Sequence, residues 1–234
     1  MPIEQQVSLE QLAVHLRGLN INRVILEEIQ HHTWSPTVAN YYATGGLACV
    51  RGVRRYHMAP PPNGRGWSDN GYHIMVGPDG AVYLCRPISK SGGHCLGHNS
   101  QSIGISLIGN YDTGHDAPPE QWPGYRALIS TVALVCRRFN IPVNRIYPHS
   151  AFADKSCPGT GFAMPRFRQE VQAAMANEIK PNLRIIDRET GNVIPCNPRI
   201  ENGVTRVDLR PFAEAMAIKV YAEHLDEQGK IYVE

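Results

Sequence analysis

The sequence predicts an α/β fold, a central mixed β-sheet flanked by helices, followed by a small α+β C-terminal domain. Three observations carry that reading. Ile103-Gly104-Ile105-Ser106-Leu107-Ile108-Gly109 is a near-continuous apolar run of strand length, as expected of a strand buried in the middle of a sheet. Tyr72 to Val76 and Ala81 to Cys85 are apolar runs joined by Gly77-Pro78-Asp79-Gly80, which reads as a β-hairpin with a tight turn. Between Gln121 and Phe139, the residues Leu128, Val132, Val135 and Cys136 recur at helical spacing and mark a core helix.

The other elements follow in order. Ser8-Leu9-Glu10-Gln11 has the form of a capping box, and Leu9, Leu12, Ala13 and Leu16 give the first helix an apolar stripe that ends at Gly18. Arg23 to Gln30 reads as a strand running up to His31 and His32, of which only one can face a shared site because strand side chains alternate. Ala48 to His57 is a helix with Val50, Val53 and Tyr56 on its stripe, stopped by Pro60-Pro61-Pro62, and its terminal His57 sits where the helix dipole favours a charged imidazole. Ala59 to Gly66 and Ser91 to Ser102 are loops. Pro165 to Asn177 is the last helix of a first domain spanning residues 1–178. A linker at 179–182 leads to a second domain, 183–234, with a strand running into a short helix across 203–216 and a closing hairpin of Lys219-Val220-Tyr221 with Lys230 to Val233.

The bulk numbers exclude several classes. With 234 residues and 42% apolar content, the chain can bury an ordinary core. A net charge of +2 without a dense Lys/Arg cluster argues against nucleic acid as a partner. No run approaches the ~18 to 20 apolar residues of a membrane span, and Met-Pro-Ile-Glu-Gln-Gln is not a secretion signal, so no membrane partner and reduced thiols are expected.

His149-Ser150-Ala151-Phe152-Ala153-Asp154-Lys155-Ser156-Cys157-Pro158 concentrates an imidazole, an amine and a thiol in ten positions. Thiolate and neutral imidazole are good zinc ligands in tetrahedral geometry. With a third donor from His31, where the first strand stops, the fourth position is left for water, which distinguishes a catalytic zinc from a structural one.

His31-His32-Thr33, Gly66-Trp67-Ser68-Asp69-Asn70-Gly71-Tyr72-His73, Pro78-Asp79-Gly80 with Arg86-Pro87, Asn99 to Gly104, and His149 with Lys155-Ser156-Cys157-Pro158 occur in one order. In that order, over roughly residues 20 to 175, the chain resembles the zinc-dependent N-acetylmuramoyl-L-alanine amidases of the type 2 family, which are related to phage amidase-type lysozymes and peptidoglycan recognition proteins. The resemblance implies Zn2+ held by His31, His149 and Cys157 in a surface cleft, with His32 turned to the core or behind the ligands. It also implies hydrolysis of the amide between N-acetylmuramic acid and L-alanine in peptidoglycan, with Tyr72 and Lys155 catalytic. His94, Asn99 and Trp67 are candidates for the substrate groove. Some relatives place a glutamate base in the strand matching Ile103 to Gly109; here that strand has Ser106 and no carboxylate, so the work falls to metal-activated water assisted by Tyr72 and Lys155.

Two other readings compete. Recognition-only relatives bind muropeptides without cutting them and typically lack the cysteine, which is retained here. A structural zinc would need a fourth protein ligand, for which His32 or His73 are available. The tail resembles the small stalk module of copper amine oxidases through Asn202-Gly203, Val207 to Pro211 and Ala213-Glu214-Ala215, which implies self-association or packing and no copper. The expected setting is an endolysin of phage or prophage, cytoplasmic until released to the cell wall, or an enzyme recycling wall fragments.

Overall fold

The computed structural model describes residues 4–176 and, beyond them, the strand segments 184–187, 193–194, 198–201, 204–207 and 230–233. The chain divides into two compact units, Met1–Ala176 and Asn177–Glu234.

The first unit is built on a six-stranded mixed sheet. Its strands are β1 (Gln5–Val7), β2 (Glu27–His32), β3 (Ile74–Val76), β4 (Val82–Leu84), β5 (Ser102–Leu107) and β6 (Ile146–Pro148), in the order β1-β4-β3-β5-β2-β6. The β2, β3, β5 and β6 pairings are parallel; β4 runs antiparallel to β1 and β3. The helices are α1 (Leu9–Gly18), α2 (Val38–Thr44), α3 (Gly46–Met58), α4 (Pro123–Phe139) and α5 (Met164–Ala176).

Local chemistry accounts for the helix ends. The Ser8 hydroxyl accepts from Gln11 N–H and the Gln11 amide oxygen accepts from Ser8 N–H, completing the expected capping box. At the other end of α1 the Arg138 guanidinium donates to the carbonyls of Leu16 and Leu19 at 2.7 and 2.8 Å, satisfying acceptors that a helix terminus leaves open. Thr37 and Asn40 form a second capping box at the start of α2.

The two faces of β5 differ. Ile103, Ile105 and Leu107 face a large apolar core with Ile74 and Val76 of β3 and with Leu128, Val132 and Val135 of α4. Each such fully buried aliphatic contributes about 1.5–3 kcal/mol relative to exposure. Ser102, Gly104 and Ser106 face the other way, toward the layer where α2 and α3 pack with Met75 and Tyr83. The strand is buried on both faces, as its composition suggested, but the small residues alternate with the large ones and leave a depression on one face.

Several boundaries differ from expectation. The strand expected from Arg23 begins at Glu27 and includes both histidines. Arg23 lies before it and donates to the carbonyls of Ile88, Ser100 and Ser102. On α3 the buried side chains are Cys49, Val50, Val53 and His57, while Tyr56 is exposed. His57 is buried and its Nδ1 accepts from Gly71 N–H at 3.1 Å; burial pushes its pKa down to about 4, so desolvation outweighs the helix dipole and the ring is neutral. No helix among the described residues is long and apolar enough to cross a membrane, and Cys49, Cys85, Cys95, Cys136 and Cys157 are free thiols.

In the second unit, β7 (Arg184–Asp187), β8 (Val193–Ile194), β9 (Pro198–Glu201), β10 (Val204–Val207) and β11 (Lys230–Val233) form two small sheets. β9 and β10 pair antiparallel, and β7 pairs antiparallel with β8. β11 pairs parallel with β7. Residues 219–221, the linker 179–182, the expected helix after 208 and, apart from Val207, the positions that carry the stalk-module resemblance lie outside the described residues.

Glu28 on β2 sits opposite Ile103 on the core face, and neither carboxylate oxygen has a hydrogen-bond partner among the described residues. Burial raises its pKa well above the ordinary value, against a smaller opposing effect of Arg168. A carboxyl whose folded pKa is raised contributes stability at low pH that is lost as pH rises through that value. Glu28→Gln is therefore expected to raise the thermal midpoint more at pH 8 than at pH 5, measured by scanning calorimetry; equal shifts at both pH values would contradict the assignment.

Candidate metal centre

Three segments converge at the C-terminal ends of β2 and β6. β2 delivers His31 from its face opposite the main core, in register with Ser106 of β5. β6 ends at Pro148, and the 3-10 turn His149–Ala151 follows at once. The chain then loops back so that Ser150 N–H donates to the carbonyl of Cys157 at 2.8 Å, which ties the two ligand-bearing positions of that loop together.

One donor atom from each of His31, His149 and Cys157 lies within 4.8 Å of the other two. The Cys157 Sγ stands 3.5 Å from His31 Nδ1. With zinc bond lengths of about 2.0–2.1 Å to nitrogen and about 2.3 Å to sulfur, a tetrahedral edge between the two is also about 3.5 Å. The donor set and its spacing therefore fit a zinc ion, and among the described residues no fourth His, Cys, Asp or Glu joins the cluster.

The two candidates for a closing fourth ligand are otherwise engaged. His73 Nδ1 accepts from Gly104 N–H at 3.0 Å, so its proton lies on Nε2, which donates to the carbonyl of Lys90 at 3.0 Å. His32 Nδ1 accepts from Tyr111 N–H at 3.2 Å, and its own backbone N–H donates to Cys157 Sγ at 3.4 Å.

Burial sets the protonation of the donors. It lowers the pKa of His149 to about 4 with a smaller push from Lys155, and that of His31 well below the ordinary value, helped by His94 and His149. Both imidazoles are thus neutral, the form that ligates. Burial pushes the Cys157 thiol up to about 12, the His32 N–H and Lys155 opposing it, so without a cation the sulfur keeps its proton.

The cluster opens onto a cleft of about 1350 Å³. Tyr72, Lys155, Trp67, His94 and Asn99 all line it. The Tyr72 ring lies 5.1 Å from that of His31, and burial raises its pKa, keeping the phenol protonated and able to donate. Lys155 is exposed, two positions before Cys157. Trp67 stacks on His57 at 4.8 Å, and the Arg65 guanidinium lies about 6.0 Å from the Trp67 ring centre. Asn99 uses its side-chain oxygen to accept from the N–H groups of His94 and Cys95 at 2.8 and 2.9 Å, so it shapes the loop. His94 is buried beneath the cleft, with Nδ1 3.0 Å from His31 Nε2.

Two contributors lie outside the residues that the sequence marks for the site. His57 lines the cleft wall, with its ring 5.5 Å from that of Tyr72. Trp34 also lines the cleft, 61% exposed and with a left-handed φ of 58°, a conformation rare for a bulky side chain. The Pro-rich loop after His57 was the available signal for the first; nothing local marked the second.

Comparison with known proteins agrees with this geometry. The sequence model of the N-acetylmuramoyl-L-alanine amidase family matches residues 21–160, more than half of the chain. The chain belongs to this family. It is 34% identical over 133 residues to peptidoglycan-recognition protein SC2 of Drosophila simulans, covering 56% of this chain and 66% of that protein. It is 30% identical over 161 residues to the human N-acetylmuramoyl-L-alanine amidase, covering 66% of this chain and 27% of that protein. The matched stretch thus spans just under two thirds of the first relative and about a quarter of the second. Among solved structures, the chain resembles Drosophila peptidoglycan-recognition protein LB with a TM-score of 0.51 at 28% identity, covering 63% of this chain and 82% of that one. An endolysin from a Thermus scotoductus bacteriophage superimposes with a TM-score of 0.50 at 25% identity, covering 65% and 88%.

Because the two imidazoles are neutral and the thiol protonated, zinc uptake at a pH below the range in which a metal-bound water ionises (pKa ~7) displaces the Cys157 proton alone. Titration of the zinc-free protein is expected to show one zinc per chain and release of close to one proton, read with a pH indicator in weak buffer. In Cys157→Ala the proton release disappears.

Proposed function

We propose that this chain is a zinc hydrolase that cleaves the amide between N-acetylmuramic acid and L-alanine in peptidoglycan. The observation that carries the proposal is the convergence of His31, His149 and Cys157 beside an open cleft that His149 and Cys157 line, with no fourth ligand among the described residues and with Tyr72 and Lys155 on the same cleft. The relatives include proteins named as amidases and as peptidoglycan-recognition proteins, which favours peptidoglycan as the ligand class. Retention of all three donors favours cutting over recognition alone.

When bound, zinc supplies Lewis acidity and an acidified water. The chain supplies the rest. The Tyr72 phenol, held protonated by burial, donates a hydrogen bond to the scissile carbonyl oxygen as negative charge builds on it. The Lys155 ammonium offsets the same charge from the rim, where its field already depresses the pKa values of His31 and His149. Among the described residues no Asp or Glu lines the cleft, so none of their carboxylates competes with the substrate carbonyl for these donors. Trp34, Trp67 and Tyr56 give the cleft aromatic faces suited to sugar rings, and Arg65, within about 6 Å of Tyr56 and Trp67, can meet a peptide carboxylate.

Turbidity loss on purified cell walls, with zinc content and muropeptide binding measured on the same samples, tests the proposal. Wild type is expected to lyse walls and Cys157→Ala to lose both zinc and lysis. Tyr72→Phe and Lys155→Ala are each expected to keep zinc while kcat falls by ~100- to 1000-fold. Muropeptide binding with no lysis by the zinc-loaded wild type would leave the recognition reading, and zinc without either activity would leave a structural site.

A further inference from the structure

Next to the three donors lies a third imidazole, which the hydrolysis scheme leaves unused. His94 comes from the loop between β4 and β5, and its ring stands edge-on to that of His31 with centroids 5.0 Å apart. His31 Nδ1 faces Cys157, so the metal-directed lone pair is on Nδ1 and the ring proton is on Nε2. That Nε2–H, 1% exposed in residue terms, has His94 Nδ1 as its acceptor at 3.0 Å. An acceptor at Nδ1 places the His94 proton on Nε2, 3.3 Å from the Ser102 hydroxyl, and Ser102 in turn donates to the carbonyl of His98 at 2.8 Å. Every donor in the chain His31, His94, Ser102, His98 carbonyl finds an acceptor in one direction only.

The surroundings are built around the His94 ring. A Cβ placed on Gly104 of β5 would collide with three of its ring atoms, and one on Gly92 would collide with its far edge. Two glycines thus clear a slot for the imidazole, one from the floor of the sheet and one from the loop. Asn99 pins the main chain at the same place by accepting from the N–H of both His94 and Cys95. The His73 ring closes the slot on a further side at 5.6 Å.

We infer that His94 is the positioning residue for the His31 ligand: it fixes the tautomer and the ring rotation that turn Nδ1 toward Cys157 and His149, and Ser102 holds it in that state. The inference rests on the metal-binding part of the proposed function. A buried Nε2–H without an acceptor favours the other tautomer, which puts a proton on the atom needed for the metal. Removing such a partner typically weakens metal binding by ~10- to 100-fold.

The test compares zinc dissociation constants, by competition with a chromogenic chelator at pH 7, and thermal midpoints of the zinc-free forms. His94→Phe keeps a ring for the slot and removes the acceptor; it is expected to bind zinc ~10- to 100-fold more weakly while its zinc-free form melts no lower than wild type. His94→Asn returns an acceptor near the Nδ1 position and is expected to recover most of that loss. Ser102→Ala is expected to weaken zinc by a smaller factor in the same direction. A His94→Phe protein with wild-type zinc affinity overturns the inference, as does a His94→Asn protein that binds as weakly as the phenylalanine variant. Should His94→Phe fail to fold, Ser102→Ala decides, and an unchanged affinity there overturns the relay. Wild type that binds zinc without lysing walls defeats the hydrolase proposal and leaves this inference standing; wild type that takes no zinc overturns both.

Discussion

Everything at the cleft depends on the register in which β2 lies against β5. His31 is opposite Ser106, Ile29 opposite Gly104 and Glu27 opposite Ser102, and these six positions share the face that carries the site. A slip of one residue would turn His31 into the aliphatic core and bring Gln30 or His32 to the donors, because strand side chains alternate. The register cannot come from hydrophobic patterning of β2 itself, since Glu27, Glu28, Gln30, His31 and His32 are all buried and only Ile29 is apolar. It comes from the partners. β5 is fixed by Ile103, Ile105 and Leu107 against α4, and β2 is then held by ladders to β5 on one side and β6 on the other. Side-chain bonds add to this: the Gln30 amide donates to the His31 carbonyl at 2.9 Å, and His32 is engaged through both its backbone N–H and its ring.

Placing so many imidazoles in one dry layer has an electrostatic consequence. His31, His73, His94 and His149 are all held below their ordinary pKa, with burial the first cause in each case. Among the described residues no carboxylate lines the cleft to restore their charge. Among the described residues, the histidine–carboxylate pair contributed by the same loop as His94 is His98 with Glu27 at 2.6 Å. It has a different use: the His98 ring stacks on Phe152 at 3.7 Å and so links the loop that carries His94 to the loop that carries His149 and Cys157.

The features legible in the sequence were those in which local chemistry and tertiary demand agree. α1 announced itself through Ser8 and Gln11, α4 through a long apolar stripe, and the β3–β4 hairpin through a turn in which Gly80 takes a φ of 95°. β1, β6 and α2 were not read. The two strands are three residues long, one ending in proline, and the α2 box uses Asn40 where glutamate or glutamine is the usual signal. The donor residues were readable because thiolate and imidazole chemistry narrows the choices and because the motif order resembles a family. The state of His57 was not readable, since its burial is decided by Gly71 and Trp67, which pack on it from a different segment.

The continuous apolar look of β5 concealed a division of labour that explains how a sheet of this size serves both a core and a site. Ile and Leu on one face supply the cohesion that fixes the strand, while Ser and Gly on the other withhold volume, and the withheld volume is what the His94 ring occupies. The donors are therefore arranged by interactions that need no metal: His31 by its register and by His94, Cys157 by the His32 N–H, and His149 by the turn that Ser150 closes onto the Cys157 carbonyl. A zinc that organises its own fold draws its ligands from a chain that has little other reason to bring them together. Here the fold has assembled three donors and left a side open to the cleft, the arrangement that the proposed hydrolysis requires.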